Sequence, residues 1–500
     1  MTSSQEGPSY TVVGSAVLSL IAITYLYCRY KLNYWKRLGV ESLTDSHWLF
    51  GNFKKAILFQ SAPGWYLGRL YHQARSSAPF VGFYIFHKPC LLLRDPKIIK
   101  QILVKDFETF SDRNFAGTEQ KDSIGMRNLF GLRNPAWRYL RTKITPTLTR
   151  GKLRQMFPLM LETGEPMIEY IKQQKDKNGV KIIDAQEMNY KFCTDLIASV
   201  ALGTKTDSFQ NPNGEFTTAV YGFFHSFKRM VALAAVFFMP KLVDLIGSPI
   251  LFNSSFVNKV FWTAVEKREK SGDQRGDYID SIIQLKNGKQ SPLYRFEGEN
   301  LLFQSGTFFS GFESSSTSAA FTLMELARSE THQVRARQEI QAAVKQHGWT
   351  FEAFSEMKFV DQCVLEGVRL HPPVSTIDRC ARTDYHIPGT DIVIEKGTAI
   401  YISLYGLQED PKHFENPLQF DPERFNSERI VPEAYLPFGV GPRMCVGMRV
   451  GQLHAKVVIA LILSRYEIFQ TAEVKNELDP RSTFTAAVDG LKLEFHEITA

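Results

Sequence analysis

Residues 10–28 pass without a charge, and at ~1.5 Å per residue a helix of that run covers most of a bilayer core. Beyond it the polar and apolar positions alternate with helical or strand periods. Residues 65–76 read as a helix. The apolar runs 80–86 and 90–93, split by Lys88 and Pro89, read as a β-hairpin. Asp95 before Pro96 marks a helix start, with Asp as N-cap and Pro in the first position. From 153 to 205 the period is helical, broken at Asn178 and Gly179. Residues 299–328 carry the longest helical pattern, apolar on most sides, and are predicted to run through the core. Another helix ends at His371, Pro372 and Pro373, short β patterns fall at 385–401 and 483–495, and 450–465 reads as a late helix. The polar, aperiodic stretch 111–130 is expected to be a loop over a pocket. The aromatic stretch 214–270, with Phe223, Phe224, Phe227, Phe237 and Phe238 around Pro240, is either core or a mobile, greasy lid.

The pattern predicts a mainly α fold with small β-sheets (α+β). Its parts are a short lumenal N-terminus (1–9), a transmembrane signal anchor (10–28), an irregular cytoplasmic linker (29–64) and one catalytic domain (65–500). No low-complexity run, charge block or repeat divides that body. Around the apolar run, Glu6 precedes it while Arg29, Lys31, Lys36 and Arg37 follow, which puts the body in the cytoplasm. A cleaved signal peptide would want a basic start and a shorter apolar core.

Composition adds limits. With 44% hydrophobic and 13% aromatic residues the chain can build a large core, and its net charge of +7 comes without a Lys/Arg tract, so nucleic acid is not an expected partner. Seven Lys/Arg and no acids lie between 133 and 154, forming either a solvated basic helix face or a dock for an acidic partner or membrane surface. The six cysteines (28, 90, 193, 363, 380, 445) are scattered, which excludes a disulfide framework and fits a reducing compartment.

Candidate chemistry centres on 436–451. There Cys445 sits in a Gly- and Pro-rich loop ahead of the late helix, where the dipole and unpaired N–H groups stabilise a thiolate. Glycines 439, 441 and 447 let the backbone approach something flat and bulky. Alone, the cysteine reads as a small buried hydrophobe. Phe438, Gly441, Arg443, Cys445 and Gly447 in one frame read instead as a haem-thiolate loop, with Arg443 placed to meet an anionic arm such as a propionate.

Eight of the fourteen residues from Ser305 to Ser318 are Ser or Thr, and such hydroxyls bond back to the preceding turn. Gly306, Ser310, Glu313, Ser314 and Thr317 fall on one helix face, either as a polar patch or as a notch that holds dioxygen and passes it protons. Glu313, Ser314 and Thr317 are the catalytic candidates. Glu366 and Arg369, three apart on a helix, could close a buried cluster with Arg424 behind the cysteine loop.

Together these residues resemble the cytochrome P-450 superfamily from about 30 to the C-terminus. The signatures are the Cys445 loop, Glu366 with Arg369, the stretch 420–425, Trp137 with Arg141, and the stretch 310–314. More narrowly the chain looks like insect microsomal family 6 enzymes, on the stretches 110–113, 144–149, 283–286 and 387–391. The resemblance implies an endoplasmic-reticulum monooxygenase using haem b and O2. Its electrons would come from NADPH–cytochrome P-450 reductase and, in some members, cytochrome b5, and its substrates would be small lipophilic molecules. It assigns Cys445 as the axial metal ligand. Trp137, Arg141, Arg379 and Arg443 become propionate contacts, and Glu313 with Ser314 the acid–alcohol pair. Pocket positions would be Phe115, Phe223, Phe309, Phe312, Ser375, Thr376 and Thr485. Departures stand out: the proline-rich hinge usual in the family after the anchor is missing, residues 38–62 containing no Pro, which implies a looser joint between body and membrane anchor; Ser314 replaces the usual Thr, and Ser310 the usual Ala. Losing the β-branch frees the hydroxyl rotamer, which bears on how electrons are coupled to product. A haem-thiolate isomerase or dehydratase without a reductase, and a weakly active haem-binding protein, are the alternatives.

Overall fold

The computed structural model describes residues 10–75, 77–114, 127–175, 179–224, 226–240, 254–426, 430–472 and 477–498; at 10–12, 223, 224, 254, 257, 306–310 and 312 it describes the backbone alone. The predicted pocket residue Phe115 lies outside the described residues, as do the side chains of Phe223, Phe309, Ser310 and Phe312.

The chain is mainly helical with small sheets. The uncharged run forms the helix Tyr10–Lys31, whose apolar side chains are exposed. Among the described residues it is the one helix long and apolar enough to cross a membrane. The expected loose joint is instead packed. Trp35 is 0% exposed, its indole N–H donates to the Phe83 carbonyl at 3.3 Å and its backbone N–H to the Tyr84 hydroxyl at 3.1 Å. Gly82 makes the room, since a Cβ there would lie 2.3 Å from the indole Cγ. The range expected to be a linker thus lies on the first strand, with backbone bridges from Ser42 to Gly82 and Gly51 to Ile85. Burying a Trp fixes the joint without proline.

The hairpin forms as β1 (Phe80–Ile85) and β2 (Lys88–Leu93). β3 is Val180–Asp184 and β4 is Thr376–Cys380. β5 (Tyr385–His386) and β6 (Val393–Ile394) form a two-stranded ribbon, and β7 is Ala399–Ser403. The main sheet runs β1-β2-β7-β4, with β7 parallel to β2 through Cys90↔Ala399. β8 (Tyr466–Gln470) and β9 (Lys492–Glu497) complete a sheet ordered β3-β9-β8. β3 corrects the reading of 153–205 as helical on both sides of a break at Asn178 and Gly179: just after that break Val180, Ile182 and Ile183 are β-branched and pair with β9. Asp184 then caps the next helix, Ala185–Leu202, by accepting from Gln186 and Glu187 N–H.

The largest core cluster surrounds the helix Glu299–Ala327. Against it pack Ala185–Leu202, Lys358–Leu370 and Met448–Leu463, with Arg150–Gln173 packed in turn on the first and last of these. Gly367 lets Lys358–Leu370 press against it, because a Cβ there would stand 2.2 Å from the Thr322 hydroxyl. The central helix and the helix after Cys445 pack on each other and both line one cavity.

Candidate active site

The cysteine loop is closed by the Cys445 N–H donating to the Phe438 carbonyl at 2.8 Å. Gly439 and Gly441 have φ of +71° and +74°, and a Cβ on Gly441 would stand 2.5 Å from the Leu103 carbonyl oxygen, so glycine is required there. Gly447 has an ordinary φ of −90°. A Cβ on it would meet only the Cys445 sulfur within 4 Å, at 4.0 Å, which leaves open space beside the sulfur. Gly447 heads the helix Met448–Leu463 without a side-chain cap, and its N–H and that of Met448 point at the sulfur. Burial pushes the Cys445 thiol up, while those N–H groups with Arg141 and Arg113 pull it down. Cys445 lies deep in the body yet has an open surface, because it faces a cavity of about 390 Å³.

Among the described residues five guanidiniums line that cavity: Arg229, paired with Glu313, and the four others Arg113, Arg141, Arg379 and Arg443. Arg443 lies 4.0 Å from the centre of the Trp137 ring, and donates to the carbonyls of Ser111 at 2.9 Å and Leu132 at 2.7 Å. Burial, with Arg113 and Arg379 adding repulsion, pushes it down to about 8. Burial and Arg113 push Arg379 down to about 9. Arg113 and Arg379 each leave a buried Nε without a partner. A guanidinium keeps its proton at neutral pH, so these shifts measure uncompensated positive charge. Against four cations this end of the lining offers Asp378, 3.8 Å from Arg113. An apolar space with an open thiol and surplus guanidiniums fits a flat group bearing anionic arms, as haem does with its propionates. Trp137, Arg141, Arg379, Phe438, Arg443, Cys445 and Gly447 all line the space. Sequence reasoning quoted Arg113 only as part of a motif; its position beside Arg379 depends on the sheet.

From the central helix Glu313 and Ser314 line the same cavity. The Ser314 hydroxyl donates back to the Gly311 carbonyl at 3.1 Å, and Ser318 to that of Ser314 at 2.7 Å, the back-bonding its hydroxyl content predicts. Glu313 is gripped on both oxygens by Arg229, from Phe227–Phe238. Thr317 is turned away from the cavity, donating to the Thr485 carbonyl at 3.2 Å. Thr485 in turn donates to the Pro372 carbonyl at 2.6 Å. Of the pocket residues read from the sequence, Thr376 lines the cavity with a buried, unpartnered hydroxyl. Ser375 packs against Gly64, where a Cβ would stand 1.6 Å from its hydroxyl.

Behind the loop, Glu366 and Arg369 are both 0% exposed. Arg369 donates through Nε and Nη2 to the two Glu366 oxygens at 2.7 and 2.8 Å, and Arg424 Nε reaches Glu366 at 2.9 Å. Gln408 ties this cluster to the loop: its carbonyl accepts from Arg369 at 2.7 Å, and its side-chain oxygen accepts from the Leu436 N–H at 3.1 Å. Gln408 carried no signal in the sequence, since a lone Gln becomes a bridge only in three dimensions.

The family model of cytochrome P450 matches residues 42–495, beginning inside the range first read as linker. The chain is 36% identical to cytochrome P450 6k1 of Blattella germanica, over 96% of each chain. It is 35% identical to probable cytochrome P450 6g2 of Drosophila melanogaster, over 95% of this chain and 97% of that one. With cytochrome P450 6a2 of Drosophila melanogaster it shares 33% identity, over 97% and 98%. The cysteine loop, the arginine-lined cavity and these matches lead to one conclusion: the chain belongs to the cytochrome P450 family.

Proposed function

We propose that the protein is a microsomal monooxygenase that inserts one oxygen atom from O2 into small lipophilic molecules, with electrons from NADPH delivered by NADPH–cytochrome P-450 reductase. The observation that carries this reading is the Cys445 sulfur with its two N–H donors, lining one cavity with Glu313, Ser314 and the guanidiniums of Arg113, Arg141, Arg379 and Arg443. Haem b held there would supply a redox-active iron for oxygen chemistry, with the Cys445 thiolate as its protein ligand.

The chain's own residues do the rest. Cys445 ligates through sulfur, and the N–H groups of Gly447 and Met448 hold its negative charge. Arg113, Arg141, Arg379 and Arg443 take the propionates. Ser314 presents a hydroxyl to the cavity for proton transfer, and Glu313 is its acid partner. The apolar walls exclude water and select lipophilic substrates. The helix Tyr10–Lys31 holds the body at the cytoplasmic side of the endoplasmic-reticulum membrane. The basic face 133–154 docks the reductase, with cytochrome b5 as a further donor on the same charge.

Replacing Cys445 by Ala or His is expected to abolish the red-shifted absorbance band of the reduced carbonyl complex. A variant that keeps the band removes Cys445 as axial ligand. NADPH consumption with and without reductase separates this function from a reductase-free isomerase and from a weakly active haem binder.

A further inference from the structure

We propose that His454 holds a buried water that bridges the helix after Cys445 to the central helix, which makes His454 a positioning residue for Ser314; the proposal rests on the monooxygenase reading of the cavity. His454 is 1% exposed and lines the cavity, and its Nε2 has no hydrogen-bond partner among the described residues. The apolar surroundings offer none. The Phe192 ring stands 5.0 Å from the imidazole, edge to face at 79°. The helix that carries Phe192 adds Cys193, Leu196 and Val200 to the cavity lining. Met160 joins them from Arg150–Gln173, one turn before Gly164, where a Cβ would stand 4.0 Å from the Phe192 ring. An orphaned ring nitrogen destabilises such a core, and a leucine would fill the same room without that loss. The nitrogen therefore points to a small polar ligand. Burial pushes the imidazole down to about 3, so the ring is neutral and calls for a neutral partner. Water suits either tautomer, donating to a bare Nε2 or accepting from an N–H.

The central helix supplies the other half of the site. Gly451 lies three residues before His454, on the same helix face. A Cβ on it would stand 3.6 Å from the Ser315 hydroxyl, so the glycine leaves that hydroxyl uncovered. Ser315 and Ser318 both line the cavity. At ~100° per residue they fall about 140–200° around the central helix from Glu313, on a different face from the acid. Ser318 donates its proton to the Ser314 carbonyl at 2.7 Å and keeps lone pairs free to accept. A buried water needs about 2–4 polar partners, and His454 with Ser315 and Ser318 makes up that set without a charge. No proton is transferred and no electrons move.

The bridge acts on Ser314 through Ser318. The water fixes the Ser318 hydroxyl, and that hydroxyl holds the Ser314 carbonyl. The turn that aims the Ser314 side chain is thereby braced from the helix that follows the cysteine loop. Without the water that turn is freer, and the Ser314 hydroxyl points correctly less often.

The test is radiolytic hydroxyl labelling of the full-length haem-loaded protein in detergent, in isotopically labelled water, read by mass spectrometry. Peroxide released per NADPH with reductase is measured on the same samples. Methionine and cysteine oxidise readily, and radicals formed at a bound water reach the side chains beside it. Met160 and Cys193 are 0% and 2% exposed, yet both are expected to label. Met156, also 0% exposed but outside the cavity lining, should stay unlabelled. His454→Leu should cut the labelling of Met160 and Cys193 roughly fivefold and raise peroxide per NADPH about twofold. His454→Gln, which returns a polar atom to the site, should restore both. Should His454→Leu fold poorly, Ser315→Val decides by the same two readouts. Unlabelled Met160 and Cys193 in the parent, labelling that survives His454→Leu, or labelling lost with an unchanged peroxide ratio overturns the proposal. The reduced carbonyl band separates the failures: with the band present in the parent these results sink this inference alone, and a parent without the band sinks the reading beneath it.

Discussion

Replacing Glu366 by Gln preserves volume and removes one charge at the most enclosed ion cluster of the fold. Arg369, 0% exposed, would keep its bonds to the Gln408 and Gln419 carbonyls but lose its counter-charge. Glu366 Oε1 also accepts from Arg424 Nε and from the Asp421 N–H at 3.0 Å. A Gln amide can keep one accepting oxygen and must turn its NH2 toward a donor. Leaving a buried charge without its partner costs about 3–5 kcal/mol. Arg424→Ala is the milder control: Arg424 is 10% exposed, and removing it deletes its bond to Glu366 and those to the Glu415, Asn416 and Gln419 carbonyls but leaves Arg369 paired, the lost bond to Glu366 costing about 1.5–3 kcal/mol. Because Gln408 joins the cluster to Leu436, haem retention should follow stability. The assay is urea unfolding of the full-length protein, read by tryptophan fluorescence and by loss of the reduced carbonyl band. The order expected is Glu366→Gln well below Arg424→Ala, which lies below the parent. A Glu366→Gln midpoint within ~1 kcal/mol of the parent, or above Arg424→Ala, refutes the reasoning.

Ser314→Thr should lower peroxide released per NADPH and Ser314→Ala raise it, both with normal haem content; ~1.4 kcal/mol between the competing barriers is a tenfold change in partition, and unchanged ratios would remove Ser314 from proton delivery. Charge reversal at Arg138 and Lys143 should raise the reductase KM and weaken its salt dependence, since exposed charges are screened beyond ~10 Å at ~0.1 M salt; Arg138 meets Glu108, so Glu108→Gln should act in the opposite direction. Burial pushes Glu409 up to about 7, with Arg369 opposing. A carboxyl raised on folding contributes stability below its unfolded pKa and loses it as pH rises through about 7, so Glu409→Gln should flatten the fall in urea midpoint between pH 5 and 8.

The long elements were legible in the sequence because their periods are long. The exposed helix Tyr10–Lys31, the central helix and the helix after Cys445 match their predicted bounds within a few residues. What could not be read depends on partners far away in the chain. β3 is five residues long and is a strand because Lys492–Glu497 lies beside it. β7 joins β2 across some three hundred residues, in parallel. The same holds at the site. Helical spacing puts Thr317 near the face of Glu313 and Ser314, but only the packed Thr485 carbonyl decides where its hydroxyl turns. Arg229 gives no local cue, standing in a short aromatic helix, until the fold places it against Glu313.

The buried Trp35 has a mechanical consequence. Leu32, Asn33 and Tyr34 alone separate the end of the apolar helix at Lys31 from the indole locked under Gly82. Three residues, even fully extended, span only ~10 Å. With the helix in a bilayer, that leash is too short for the body to tumble. The helix, the Trp35 socket and the main sheet would then act as one bracket, so that a membrane holding the helix would see the same flank of the protein at every encounter. A lipophilic molecule diffusing in the bilayer would meet the body from one side and not from all, and widening the leash by a few glycines before Trp35 would give that orientation back to thermal motion.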